Sequence, residues 1–348
     1  MQKIIGILLC LHSFCMGAQT DKKVKYYEIH QPFARVDTLK YRELPKGVKQ
    51  TGRHSAGLFV DFKTSAKQIS AKWCVQPSTV YAYLSEVNRR GLDLYAKVGT
   101  TYQYVRSGFP DAKSDCSEAI IIDQLTGEDR EYRLYFPVYS ELVNLQLGVE
   151  EEATFKAIQP TYDKRILIYG SSIAQGASAS RPGMAYPAQL ERKYGYEFLN
   201  YGFGGSAKME ETVATLLADI PKVDLFIMDC VPNSSVEEIK QRTAAFVALY
   251  RKKNPDVPIV MIPSVIREVG YFNTIIGQRV MAQNQQFKKE YEALIQQGVQ
   301  NLHYVDVEYL LGTDHEGTSD GVHPTDLGFA RWIEAVQPHI EVLFQRYF

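Results

Sequence analysis

The hydrophobic period of this chain changes part-way along it, and that change limits the fold more than any other feature. From about Tyr27 to Val149, apolar residues recur at every second position. Ala56, Leu58, Val60 and Phe62 alternate with Ser55, Gly57, Phe59 and Asp61. Ile69, Ala71, Trp73 and Val75 alternate with Ser70, Lys72, Cys74 and Gln76. Tyr132, Leu134, Phe136 and Val138 form one further face, and Val143, Leu145, Leu147 and Val149 another. Short alternating segments broken by Gly, Pro and Ser predict half-buried antiparallel strands. We therefore expect a β-sandwich of jelly-roll type over residues 19–155. A charged linker follows, around Glu150 to Lys164.

Beyond the linker, over residues 163–348, short apolar runs alternate with helical stripes. The runs are Ile166–Tyr169, Glu197–Asn200, Leu225–Met228, Ile259–Ile262 and Leu302–Val305. After the third, Ser235 and Glu238 form a capping box ahead of a stripe of Val236, Ile239, Thr243, Phe246 and Tyr250. Before the fifth, Val280, Phe287, Tyr291 and Leu294 mark another helix, stopped by Gly298. Five buried strands separated by helices predict an α/β/α sandwich, a five-stranded parallel sheet covered on both faces.

Charge and cysteine usage narrow the function. Lys plus Arg total 39 against 40 acidic residues, a net charge of −1. A chain that must neutralise many phosphates is usually strongly basic, so no nucleic-acid partner is expected. No apolar run after the first 20 residues approaches a bilayer span, so an integral membrane protein is not expected. Residues 1–18 have the layout of a signal peptide, with a basic start, an apolar stretch and a small residue, Ala18, before a polar segment. Export, to a periplasm or beyond the cell, follows as an expectation. Cys74, Cys116 and Cys230 would remain after cleavage. An oxidising compartment permits Cys74 and Cys116 to pair. Cys230, next to Leu225–Met228, reads as a buried core thiol.

In an open parallel sheet the ligand binds outside the carboxyl ends of the strands. Gly170-Ser171-Ser172 through Gly176 follows the first run, and Asn200 through Ser206 the second. Asp229 through Asn233 follows the third, and Ser319 through Pro324 lies ahead of the last helix. Together they supply a hydroxyl, backbone amides in a glycine-rich loop, a carboxamide and a carboxylate–imidazole pair, which is a kit for acyl transfer. Each element also has a plain structural reading. Ser172 could cap a helix, the glycines could serve a tight turn, Asn233 could be a turn residue, and Asp320 with His323 could be a surface pair. No phosphate-loop motif is present, and neither a cofactor nor a metal is implied.

In this order the motifs resemble the SGNH, or GDSL-type, hydrolase family over roughly residues 163–345, preceded by a β-domain like that of some exported bacterial members. The resemblance places Ser172 as nucleophile, with His323 as its base and Asp320 orienting the imidazole. It places Gly205 and Asn233 as oxyanion donors beside the Ser172 amide. Asn200, Gly202 and Gly205 match the second block. Two positions depart from the pattern: Ser171 stands where the family has Asp, and Val231-Pro232-Asn233-Ser234 replaces Gly-x-Asn-Asp.

The resemblance and the predicted export imply an esterase acting on acylated carbohydrate, foremost an O-acetyl ester. A lipolytic or thioester acylhydrolase using the same triad, and an inactive glycan-binding protein, are the competing readings. Trp73, Tyr81, Tyr83, Tyr95, Tyr102 and Tyr104 either form a sugar platform or fill the sandwich core. The segment Arg267 to Arg279 is a candidate wall of the pocket.

Overall fold

A computed structural model describes residues 23–348. The expected signal segment, 1–18, lies outside the described residues. In chain order the first half supplies β1 (Val24–Glu28), α1 (Lys46–Gly52), β2 (Phe59–Thr64), β3 (Ile69–Val75), α2 (Glu86–Arg90) and β4 (Leu92–Val98). Next come β5 (Thr101–Gly108), β6 (Cys116–Ile122), β7 (Arg130–Tyr135), β8 (Leu142–Glu150) and β9 (Phe155–Ile158). They form two antiparallel sheets, ordered β1-β8-β3-β6 and β5-β4-β7-β2-β9. Their facing sides share one core, with Val60, Phe62, Tyr132 and Leu134 from one sheet meeting Ile69, Ala71, Trp73, Leu145 and Leu147 from the other. These are the residues the period-two pattern put inside.

Val143 is a correction. It is 42% exposed, while Leu142 is buried and pairs with Val75. The register shifts between Cys74 and Val75, and a bulge of one residue turns the alternation over at that point. Cys74 and Cys116 stand opposite each other in the β3–β6 register and are joined by a disulfide, with Cα atoms 4.0 Å apart. Cys230 is buried and free.

The second half supplies β10 (Arg165–Gly170), α3 (Ser172–Gln175), α4 (Tyr186–Tyr194), β11 (Glu197–Gly202), α5 (Glu211–Ala218) and β12 (Leu225–Asp229). It ends with α6 (Val236–Lys253), β13 (Ile259–Met261), α7 (Thr274–Gln296), β14 (Leu302–Tyr304) and α8 (Asp326–Tyr347). The sheet is parallel, in the order β11-β10-β12-β13-β14. Its three central strands are buried on both faces. Helices α5, α6 and α7 cover one face, and α4 with α8 covers the other. Both capping-box bonds of Ser235 and Glu238 are made at the start of α6, and Ile239, Thr243, Phe246 and Tyr250 are its buried stripe. The strand order reverses at β10, which puts the loops after β10, β11 and β12 around one crevice.

The two halves are bound together by buried polar contacts. Arg133 on β7 donates to both Asp61 carboxylate oxygens at 2.7 Å and reaches across to Glu191 on α4. Tyr135 also donates to Glu191, at 2.6 Å. Val36, Leu44 and Val48, from sequence ahead of β2, pack into the core on the α5–α6–α7 side. The Arg35 guanidinium donates to the carbonyls of Asn200 and Gly202, each at 2.8 Å. Among the described residues no helix is long and apolar enough to cross a membrane.

Candidate active site

Gly170 ends β10, and Ser171 caps the short helix α3 by accepting from the Ile173 N–H at 3.2 Å. A serine oxygen fills this capping role as an aspartate would. Ser172 opens α3 at the mouth of the crevice. Its Oγ lies 3.0 Å from His323 Nε2, and His323 Nδ1 lies 2.7 Å from Asp320 Oδ2. Asp320 is fixed by its own turn, because its Oδ1 accepts from the backbone N–H groups of Val322 (2.9 Å) and His323 (2.7 Å). Burial pushes the Asp320 carboxyl up, but those backbone bonds and the His323 ring outweigh it and hold the group below its ordinary range.

The glycine-rich turn after β11 lies against α3. Asn200 is structural: its amide donates to the carbonyls of Ala174 (2.9 Å) and Gln175 (3.3 Å), and its oxygen accepts from Gly202 N–H. A Cβ at Gly202 would stand 2.2 Å from the Gln175 nitrogen, so only glycine allows this approach. Gly204 N–H is spent on Gln175 Oε1 at 2.9 Å. Gly205 follows at φ +71°, in the left-handed region. Asn233 uses one amide hydrogen on the Phe203 carbonyl at 3.1 Å. Ser172, Gly205, Asn233 and His323 line one cavity of about 450 Å³. The structure thus brings together the candidates from all four loops.

Sequence reasoning missed the other wall. Gln50, Thr51, His54, Thr79 and Tyr139, all from the first half, line the same cavity beside Tyr81 and Tyr83. The Tyr83 ring stacks on His323 with centroids 4.2 Å apart and planes 26° from parallel, and Tyr81 stacks behind it at 5.2 Å. The Tyr83 carbonyl accepts from Ser178 Oγ (3.1 Å), which in turn accepts from Ser319 Oγ (2.9 Å) beside Asp320. Ser178 holds φ +64° to make this bridge. Of the six aromatics singled out above, only Tyr81 and Tyr83 reach the cavity. Trp73 and Tyr95 are buried, Tyr102 lies under the Arg133 guanidinium at 4.4 Å, and Tyr104 carries the Arg181 guanidinium 3.7 Å from its ring centre. From the segment Arg267 to Arg279, only Arg267 lines the cavity, while Phe272 is 93% exposed.

Residues 163–341 match the model of the GDSL-like lipase/acylhydrolase family. The chain belongs to that family. Residues 16–155 match the GxDLY model, the N-terminus of SGNH-hydro-type esterases. A GDSL-like lipase from Bacteroides ovatus is 41% identical, with 93% of this chain and 98% of that chain aligned at a TM-score of 0.89. With these likenesses, this GDSL-like hydrolase is a carboxylic-ester hydrolase. Two more distant structures share the fold. The salicylyl-acyltransferase SsfX3 from a tetracycline biosynthetic pathway is 17% identical, covering 93% of this chain and 96% of its own, at a TM-score of 0.71. A family two carbohydrate esterase from Cellvibrio japonicus is 11% identical, covering 93% and 99%, at a TM-score of 0.60. No curated protein sequence matches this chain.

In this GDSL-like hydrolase the GxDLY letters fall on Gly91, Asp93, Leu94 and Tyr95. Leu92 and Leu94 enter the sandwich core, while Asp93 points the other way and accepts from Arg181 Nη1 (2.7 Å) and the Gly183 N–H (2.9 Å). The motif fastens one sheet to the turn ahead of α4. A buried acid within an apolar alternation was the signal that could have found it.

Proposed function

We propose that this is an exported serine esterase that removes O-acyl groups, foremost O-acetyl, from carbohydrate. One observation carries the reading: Ser172, His323 and Asp320 form an unbroken hydrogen-bonded chain, 3.0 and 2.7 Å, whose first two members line the cavity. His323 takes the Ser172 proton through Nε2 as the oxygen attacks the ester carbonyl, and Asp320 holds the Nδ1–H tautomer and the cation that forms. The Ser172 and Gly205 amides and the second Asn233 amide hydrogen receive the oxyanion. The alcohol leaves with the proton from His323. Water, deprotonated by the same imidazole, then cleaves the acyl-enzyme and releases the acid.

The cavity lining supports a sugar rather than a fatty chain. Its polar groups include Gln50, Thr51, Thr79 and Asn233, and its aliphatic side chains are few, Ile173 and Val322 among them. The test is hydrolysis of p-nitrophenyl acetate by the parent and by Ser172→Ala, with circular dichroism on both. We expect the variant to fold and to lose at least ~10³-fold in kcat. Equal activity in both proteins would remove Ser172 from the mechanism. An acyl series in which octanoate exceeds acetate would overturn the O-acetyl assignment.

A further inference from the structure

Resting on that esterase reading, we propose that the substrate carries a carboxylate close to its ester, as in an O-acylated acidic sugar, and that Arg267 receives it. Among the described residues lining the cavity there is no Asp, Glu or Lys, and Arg267 is the one permanently charged side chain. Its hydrogen bonding is incomplete. Nη2 donates to the Pro232 carbonyl at 3.0 Å, and Nε is buried with no acceptor. The acid that acts on it electrostatically is Asp320, whose oxygens are already committed to Val322 and His323. Arg279 acts on it as a second positive charge. Burial and Arg279 both work against the Arg267 charge, so the cavity wall carries a cation whose Nε has no partner.

A guanidinium in this condition is costly unless something supplies acceptors. A planar carboxylate matches the guanidinium fork better than any neutral sugar oxygen. Position fits as well. Arg267 is anchored on Pro232, the neighbour of Asn233, so an anion held there lies next to the oxyanion donors and within the same cavity as Ser172. The neutral donors around it are suited to hydroxyl groups. An acidic sugar uses both sets at once.

The experiment compares acetate release from an O-acetylated galacturonoside with release from its primary carboxamide, which keeps the skeleton and removes the charge. The parent is expected to prefer the carboxylate by at least tenfold in kcat/KM, a factor equivalent to ~1.4 kcal/mol, and to lose preference as salt rises. Arg267→Gln, which removes the charge and keeps an amide near the position of Nε, is expected to bring the ratio near one. The same pair built on N-acetylneuraminic acid distinguishes the two kinds of acidic sugar. A carboxylate preference in either series supports the inference, and its absence from both overturns it. A preference that survives in Arg267→Gln also overturns the role of Arg267. Hydrolysis of p-nitrophenyl acetate separates the two failures: if Ser172-dependent turnover persists without any carboxylate preference, the anion site falls and the esterase stands.

Discussion

His54 sits where the two halves meet, and its environment keeps it uncharged. Burial, then the positive charge of Arg35, pushes its imidazole down to about 3 from an ordinary value of 6.5. Its Nδ1 lies 3.1 Å from the Gln175 amide nitrogen, which donates to it, and the same side chain's oxygen holds the Gly204 N–H. Between those two pH values the unfolded chain binds a proton that the folded chain refuses, so stability falls as the pH drops through that window. Denaturant unfolding from pH 6.5 to 4 should therefore show the parent losing stability relative to His54→Gln, by up to ~1.4 kcal/mol per pH unit. Parallel pH profiles for the two proteins would dismiss the effect. Asp229 has the opposite sign, because burial raises its carboxyl to about 7, but it is present in both proteins and cancels. The candidate Ser172 could be picked out because it directly follows a strand that periodicity locates, and Asp320 with His323 by their Asp-x-x-His spacing ahead of the last helix. His54 could not, since nothing near it in the chain names Gln175 as its partner.

The loop from Thr79 to Ser85 shows the same limit for elements. Its residues have no periodic pattern, yet Tyr83 covers the His323 ring and its carbonyl is tied through Ser178 to Ser319. Ser85 then caps α2 and also donates to the Ser180 carbonyl, while Ser180 bonds Asp326 at the start of α8. A non-glycine residue at positive φ persists only where its surroundings fix it, and Ser178 is fixed from both sides. We expect Tyr83→Ala to lower kcat on p-nitrophenyl acetate about tenfold with a smaller change in KM, and Tyr83→Phe to restore it, because the ring and not the hydroxyl faces His323. A rise in KM alone would assign Tyr83 to substrate contact instead. The strands and long helices were readable because burial imposes a period on them. The Val143 reversal was not, since a bulge changes which face is buried without changing the composition. The loop was not either, because its partners lie far along the chain.

For the molecule as a whole, the charged cluster of Arg133, Asp61 and Glu191 joins the sandwich to the helix layer of the parallel sheet. The Arg133 side chain is 3% exposed, and its partners are 6% and 5% exposed. Removing the cation strands two buried carboxylates, which typically costs ~3–5 kcal/mol. Arg133→Met should lower the unfolding temperature by several degrees in calorimetry, and the parent should unfold in a single transition. Two separated transitions in the parent, or an unshifted variant, would mean that the halves are independent. The union of the halves was invisible in a sequence whose grammar changes at a linker, because that change suggests two separate bodies. It also divides inheritance in the catalytic pocket. The groups proposed to handle the ester bond come from one stretch of chain, and much of the facing cavity wall comes from another. On the proposed mechanism, drift in Gln50, Thr79 or Tyr81 changes the diet of such an enzyme while its bond-breaking equipment passes on intact.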